Sequence, residues 1–392
     1  MSMRGVGFLA LRYLRFHWVK TVILLACVTS TLCLPLTVHR LVDRFEESLL
    51  ARARVTPLVV GARGSRVDLT LHALYFRAEP PGDVSVEVAQ RIRDTGYALP
   101  IPLHARHTAG GFPVVGTTLE YFGFRGLSLA GGRMLTRLGD CVLGAGVARE
   151  LRLQPGAHLM TDPENIFDIA GAHPVNLRVV GILAPAGTAD DGAVFVDLKT
   201  TWLAQGLIHG HQDVARTTNE DLILSRSETN VVANAALPQH LEVTEANLAS
   251  FHAHGDPRTF PVTAILAVPK DLKSDTLLRG RFRGEHSLEQ ILVPVSVVEE
   301  LMGLVFRVKR FFDANTVVIS VSTLLFLTLV VLLSVRLRRR EMEVMFRLGC
   351  SRGMMVRLQT AELALIGTAS LLLSLAGATL ALRLAPLWLG IP

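Results

Sequence analysis

Lysine is nearly absent. The chain has 392 residues and only five lysines, Lys20, Lys199, Lys270, Lys273 and Lys309, and none follows a glycine. A phosphate-binding P-loop needs a glycine directly before its lysine. The chain therefore has no Walker A motif and is not expected to be an ATP-hydrolysing enzyme by itself. His-Glu-x-x-His is missing as well, which removes the zinc-protease helix. Gly144-Ala-Gly146 lacks the third glycine of a dinucleotide fingerprint and reads as a strand-to-helix turn. Cysteine is sparse, with four residues. Only Cys141 lies in the long segment between the first two apolar runs, so no intrachain disulfide is expected there. There is no internal repeat, no low-complexity tract and no heptad run of coiled-coil length.

Apolar sequence is abundant. Half of the residues are hydrophobic and the mean hydropathy is +0.39. The excess gathers into three uncharged runs: Thr21–Val38 with 18 residues, Ala314–Val335 with 22 and Leu363–Leu382 with 20. A helix needs about 20 apolar residues to cross a bilayer, so each run is expected to span a membrane. Leu24-Leu25-Ala26-Cys27 looks like a lipoprotein cleavage box. The apolar stretch before it starts only at Thr21 and continues past Cys27, so the run reads as an uncleaved anchor. Asn315 is the only amide in the three runs and no ionisable residue lies inside them. That argues against an ion pathway through the spans.

Charge gives the orientation. Residues 1–20 hold Arg4, Arg12, Arg15 and Lys20 and no acid, and Arg336–Glu362 holds seven arginines against Glu341, Glu343 and Glu362. The segment His39–Asp313 holds 28 basic and 31 acidic residues. Positive charge marks the cytoplasmic side, so the N-terminus and the second connection lie inside and the long segment outside. The net charge of +6 reflects topology and anionic lipid, and nucleic acid is not an expected partner.

The expected fold class is an α-helical membrane domain with three spans plus an α+β extracytoplasmic domain on a helical stalk. Residues 1–20 form an amphipathic cytoplasmic interfacial helix and 21–38 span one. Residues 39–313 form the outer domain with its stalk helices, and 314–335 form span two. Residues 336–362 form a cytoplasmic segment, 363–383 span three and 384–392 an outer-side tail. Leu41, Phe45, Ser48 or Leu49, and Arg52 continue a helical repeat beyond span one until Pro57, and Pro294–Phe312 forms a matching segment before span two. Within the domain, Val67–Leu71 alternates like a strand and Asp83–Asp94 reads as helix. Phe112–Thr117, Cys141–Gly144, Leu177–Leu183, Ala193–Leu198 and Thr263–Val268 read as strands. Residues 205–260 form a polar, histidine-containing lobe.

The second connection is more than a topology signal. Met342, Met345 and Leu348 form an apolar stripe, while Arg339, Glu343 and Arg347 stand at i, i+4 on another face. Gly349 suits a helix C-cap and Ser351 the next N-cap. Glu341-Met-Glu-Val-Met-Phe-Arg-Leu-Gly-Cys-Ser-Arg-Gly, followed by an apolar span, resembles the coupling helix of FtsX-like, MacB-type ABC permeases. The resemblance implies that Glu341, Met342, Glu343, Met345, Arg347, Leu348, Gly349, Ser351 and Arg352 contact an ATPase. Cys350 replaces the usual alanine.

A second set of motifs follows the MacB-like periplasmic core domain in order. It comprises Val114-Val-Gly-Thr-Thr-Leu-Glu-Tyr-Phe, Leu129-Ala-Gly-Gly-Arg, Val147-Ala-Arg-Glu-Leu, Val179-Val-Gly-Ile-Leu-Ala-Pro and Ala193-Val-Phe-Val-Asp-Leu. The family pattern includes a fourth span, whereas the three runs here place Leu384–Pro392 at the outer interface. The lobe at 205–260 matches nothing in the general family. It holds His209-Gly-His211 and His252-Ala-His254, with His240 between. On an extended strand each pair points one way and could give two imidazoles to a metal. The plainer reading is of exposed or hydrogen-bonded loop histidines, and no metal site is assigned from sequence.

The resemblance implies a permease subunit of a bacterial inner-membrane ABC transporter, multi-pass, with its large domain in the periplasm. It would couple ATP hydrolysis in a separate ATPase chain to a shape change of that domain, for export or extraction of an envelope substrate. It would bind no cofactor directly, ATP and Mg2+ residing in the partner. A second permease copy or paralogue and a periplasmic partner protein are the other expected partners. The alternatives are a regulator of a periplasmic hydrolase and a zinc-handling system that uses the histidine lobe.

Overall fold

The computed structural model describes residues 3–77, 79–163, 174–210, 223–226, 231–233, 240–253, 255–282, 288–337, 343–344, 346–347, 349 and 351–389. The chain divides into two units, Leu50–Leu301 and a helical unit of Met1–Leu49 with Met302–Ile391.

The helical unit draws on α1 (Met3–Phe16), α2 (Trp18–Val55), α9 (Pro294–Leu337) and α10 (Arg352–Leu389). The α1 helix buries Val6 and Ala10 and packs against α10. A hydroxyl contact of 3.2 Å joins Thr31 of α2 to Thr323 of α9, and His39 meets Asp313 at 3.1 Å. Among the described residues two helical stretches are long and apolar enough to cross a membrane, Trp18–Val55 and Gly353–Leu384. Three were expected. Among the described residues α9 contributes only the shorter apolar stretch Asp313–Phe326. Along the second half of α9, Val317, Val318, Leu324, Leu325, Leu329 and Leu332 are all more than half exposed. A core helix of a water-soluble protein would bury such a surface.

The second unit is α+β. A ten-stranded sheet runs in the order β16-β1-β15-β3-β4-β9-β6-β8-β5, with β7 also on β8. Its strands are β1 (Leu58–Ala62), β3 (Ala98–Ala109), β4 (Phe112–Thr117), β5 (Leu129–Gly132) and β6 (Asp140–Leu143). They continue with β7 (His158–Met160), β8 (Asn176–Leu183), β9 (Val194–Asp197), β15 (Ala264–Pro269) and β16 (Glu289–Leu292). Pairing is antiparallel except for β4 with β9 and β6 with β8. Small ladders join β2 (Val84–Ser85) to β14 (Pro261–Val262), β10 (Ile208–Gly210) to β13 (Phe251–Ala253), and β11 (Ile223–Arg226) to β12 (Val231–Ala233). Helices α3 (Arg66–Tyr75), α4 (Val86–Asp94), α5 (Glu120–Arg125), α6 (Ala145–Leu151), α7 (Leu198–Ala204) and α8 (Leu272–Arg281) complete the unit. Leu58, Val60, Leu143, Val194 and Ile265 are fully buried in its core, each worth about 1.5–3 kcal/mol on removal from water.

The motifs explain their local structure. Gly144 turns β6 into α6. Gly132 has φ +82°, and a Cβ there would lie 2.2 Å from the Val180 carbonyl oxygen, so only glycine lets β5 close onto β8. One expectation fails: Val67–Leu71 belongs to helix α3, not to a strand. Ser65 caps that helix by accepting from the Asp68 N–H at 3.2 Å, and Leu69, Ala73 and Leu74 form its buried face. Five alternating residues fit a strand and a helix face equally, and the cap decides between them.

Candidate functional site

The last turn of α2 ends in a buried ionic cluster. Arg52 donates to both carboxylate oxygens of Asp190, Nη1 to Oδ2 at 2.5 Å and Nη2 to Oδ1 at 2.9 Å. Nη2 also donates to Tyr121 Oη at 3.0 Å, and that hydroxyl donates to Asp190 Oδ1 at 2.6 Å. Thr188 Oγ1 donates to Asp190 Oδ2 at 2.8 Å. The guanidinium stacks 5.7 Å from the ring centre of Phe76. Arg125 Nη1 donates to Thr56 Oγ1 at 2.9 Å, and Thr56 donates on to the Arg52 carbonyl at 2.9 Å. The pair is desolvated, with Arg52 7% and Asp190 1% exposed. Burial alone would raise the Asp190 carboxyl, but the hydrogen bonds and charge of Arg52 outweigh it and hold it below the usual carboxylate range. Burial pushes the Tyr121 hydroxyl up, so it stays a neutral donor. A bidentate pair of this kind fixes orientation as well as distance. The end of α2 therefore cannot turn against α5 and the 188–192 loop without breaking a buried ion pair.

This cluster was missed by sequence reasoning. Its one legible signal is Arg52, a cation continuing the repeat of Leu41 and Leu49. A second buried carboxylate, Asp140, fastens the sheet: Arg133 Nη1 donates to it at 2.8 Å and Arg178 Nη2 at 2.7 Å. Arg133 ends the Leu129-Ala-Gly-Gly-Arg motif.

Of the coupling residues expected from sequence, Glu341, Met342, Met345 and Leu348 lie outside the described residues, as does Cys350. Glu343–Val344 and Phe346–Arg347 are helical. Gly349 has φ +95° and donates its N–H to the Phe346 carbonyl at 3.0 Å. The Met354 N–H reaches the Ser351 carbonyl at 3.0 Å as α10 begins at Arg352. Val344 and Phe346, apolar residues that the sequence reading passed over, are 57% and 53% exposed. Gly349-Cys-Ser-Arg-Gly353 also spells Gly-x-Ser-x-Gly. A nucleophile elbow turns from strand to helix, whereas Phe346 and Arg347 before this turn are helical, so the pattern is not an elbow.

Of the four candidate histidines, His211 and His254 lie outside the described residues. His209 and His252 stand directly opposite each other on the β10/β13 ladder, with ring centres 4.9 Å apart. The His240 N–H donates to the Gly210 carbonyl at 2.8 Å. Among the described residues no group of three or more His, Cys, Asp or Glu forms a metal site. A separate histidine group is buried between α3, which carries His72, and β3, which carries His104 and His107. His72 Nε2 meets Thr263 Oγ1 at 2.8 Å, and the His104 and His107 rings are 6.2 Å apart. Burial first, then His107, Arg106 and His72, push His104 down to about 3.

The fold and these sites define a class: an α+β domain joined to apolar helices long enough to cross a membrane. The model of the MacB-like periplasmic core domain matches residues 22–251, more than half of the chain. The chain belongs to this family of MacB-like, FtsX-type ABC transporter permeases. Among solved structures it is similar to the periplasmic region of MacB from Actinobacillus actinomycetemcomitans, at 12% identity and a TM-score of 0.35, covering 63% of this chain and 92% of that one. It is also similar to the extracellular domain of the noncanonic ABC-type transporter YknZ from Gram-positive bacteria, at 10% identity and a TM-score of 0.33, covering 60% and 98%. A third is a domain of a putative permease protein from Porphyromonas gingivalis, at 13% identity and a TM-score of 0.27, covering 57% and 76%. No curated protein matches the chain.

Proposed function

We propose that the chain is a permease subunit that converts ATP hydrolysis in a separate ATPase chain into movement of its own extracytoplasmic domain. The ATPase docks on the segment 336–362, and residues 314–335 and 363–383 cross the membrane as spans two and three. The observation that carries the mechanical reading is the Arg52–Asp190–Tyr121 cluster. A helix that only anchors a domain can end in a hinge, which absorbs movement. The end of α2 is instead locked in orientation by a bidentate, desolvated pair, so a rotation or tilt of that helix is delivered to the 188–192 loop and the sheet behind it. The spans carry no ionisable residue between their ends, which suits transmission better than carriage of ions through their middle. ATP and Mg2+ belong to the partner, and a second permease copy or paralogue completes the assembly.

Purification from native membranes tests this reading. The chain is expected to bring an ATPase subunit with it, and turnover is expected only in that complex. ATP hydrolysis by the isolated chain, or purification without any ATPase, overturns the assignment.

A further inference from the structure

The corner between α1 and α2 takes no part in the mechanism above. The chain stays helical through it: the His17 N–H donates to the Tyr13 carbonyl at 3.0 Å and the Thr21 N–H to the His17 carbonyl at 3.1 Å. The Thr21 hydroxyl donates to the Leu14 carbonyl at 3.0 Å. Residues seven apart in a straight helix lie about 10.5 Å apart along its axis, so this bond marks a bend. Beside the bend lies a groove of about 470 Å³, within the range of about 300–1,000 Å³ typical of small-molecule sites. Phe16, Trp18, Ile23 and Leu24 line it together with Phe326 of α9, and His17 and Lys20 are its polar lining.

The surroundings select the occupant. Phe16 is 80% and Trp18 64% exposed, so the chain itself leaves most of this apolar wall uncovered. An acyl chain suits such a wall. Charge then selects the headgroup. Arg12 and Arg15 are exposed and stand three apart on α1, close to one side of the helix. The Arg12 guanidinium lies 5.5 Å from the centre of the Phe8 ring, which is itself exposed. The sequence has no acid before Asp43. Helix α10, against which α1 packs, carries one acid, Glu362, and it is buried. The cations of α1 therefore meet no exposed carboxylate on their own helix or on that neighbour. Arginines beside exposed aromatic and apolar residues on an interfacial helix suit an anionic bilayer surface. Basic pockets beside spanning helices on the cytoplasmic side suit anionic lipid headgroups.

We propose that the α1/α2 corner holds an anionic phospholipid, with one acyl chain in the groove and the phosphate at Arg12 and Arg15. The proposal rests on residues 21–38 crossing a membrane as span one and is independent of the ATPase. Trp18 lines the groove and reports its occupant. The full-length chain is placed in phosphatidylcholine vesicles that carry an equal minor fraction of either brominated phosphatidylglycerol or brominated phosphatidylcholine. The Trp18 signal is the difference from a Trp18→Phe chain, which keeps the other two tryptophans, Trp202 and Trp388. The anionic lipid is expected to quench Trp18 at least about twofold more than the zwitterionic one, since one basic residue near the surface favours anionic lipid about fivefold. Arg12→Gln with Arg15→Gln is expected to make the two lipids equal. Equal quenching of the wild-type chain by both lipids leaves the span in place and overturns the site. Selectivity that persists in an inserted double variant also overturns it. Quenching by neither lipid means that protein, such as a second copy of this chain, covers the groove or that span one lies outside the bilayer. Either overturns the proposal, and extraction of the vesicles with alkaline carbonate tells the two apart.

Discussion

Arg52 and Asp190 are separated by 138 residues, and each is tolerable in the interior only because of the other. Removing one partner of a buried pair leaves an uncompensated charge and costs about 3–5 kcal/mol, whereas replacing both by apolar residues of similar volume is often close to neutral. Asp190→Ala is therefore expected to lower the melting temperature of the full chain sharply, and Arg52→Met with Asp190→Leu to recover most of the loss. Equal losses in the two proteins, followed by fluorescence on heating, would show that the pair is not held as described. His104 gives a pH signature. Its ring is fully buried and its pKa in the folded chain is about 3, against about 6.5 unfolded. Below pH 6.5 the unfolded chain takes up a proton that the folded chain refuses. Stability is therefore complete above that pH and falls as pH drops toward 3, by up to about 1.4 kcal/mol per pH unit. His104→Leu should flatten this acid limb. A profile between pH 4 and 6.5 that is identical to wild type refutes the assignment to His104.

At the scale of elements, what could be read from sequence follows the range of the interactions that decide each element. The strands at Phe112–Thr117 and Asn176–Leu183 declare themselves by apolar runs between turn residues, and Gly144 by its place between strand and helix. Val67–Leu71 misleads because its alternation is too short to exclude a helix, and the Ser65 cap outweighs it. The partners of Arg52 were illegible, since no local pattern joins the end of α2 to a loop so distant in sequence. The histidine pairs were legible as pairs within one strand. That His209 faces His252 is a matter of register between strands, which sequence does not print. The turn expected from sequence to meet the ATPase is local: Gly349 takes φ +95°, and no atom of the described residues lies within 4 Å of an added Cβ. A side chain there strains the backbone by about 1–2 kcal/mol. Gly349→Val is expected to reshape the turn, abolish stimulation of the partner ATPase and leave membrane insertion intact. Full stimulation in a correctly inserted Gly349→Val protein would remove this turn from the coupling route.

At the scale of the whole molecule, helix length and charge set the expected number and direction of membrane crossings. Helix α10 has 38 residues, roughly 57 Å at about 1.5 Å per residue, well beyond the hydrocarbon core of about 30 Å. The 44 residues of α9 reach roughly 66 Å on the same rise and exceed that core further. The arginines cluster in sequence between these two helices, so that connection is expected on the cytoplasmic side. Cysteine labelling turns this into a measurement. Cys350 would first be replaced by alanine, while Cys141 is buried and contributes little background. Glu150 is exposed on α6 and Ser351 is exposed at the turn. In sealed cells opened only at the outer membrane, an impermeant maleimide is expected to label Glu150→Cys and to reach Ser351→Cys only after the inner membrane is permeabilised. Leu384→Cys, beyond the third run, is expected to label from outside if α9 and α10 both cross. Labelling of Ser351→Cys in sealed cells would invert the orientation. Leu384→Cys protected until permeabilisation would remove one of the two crossings, and with it the route by which a cytoplasmic push could travel along both helices.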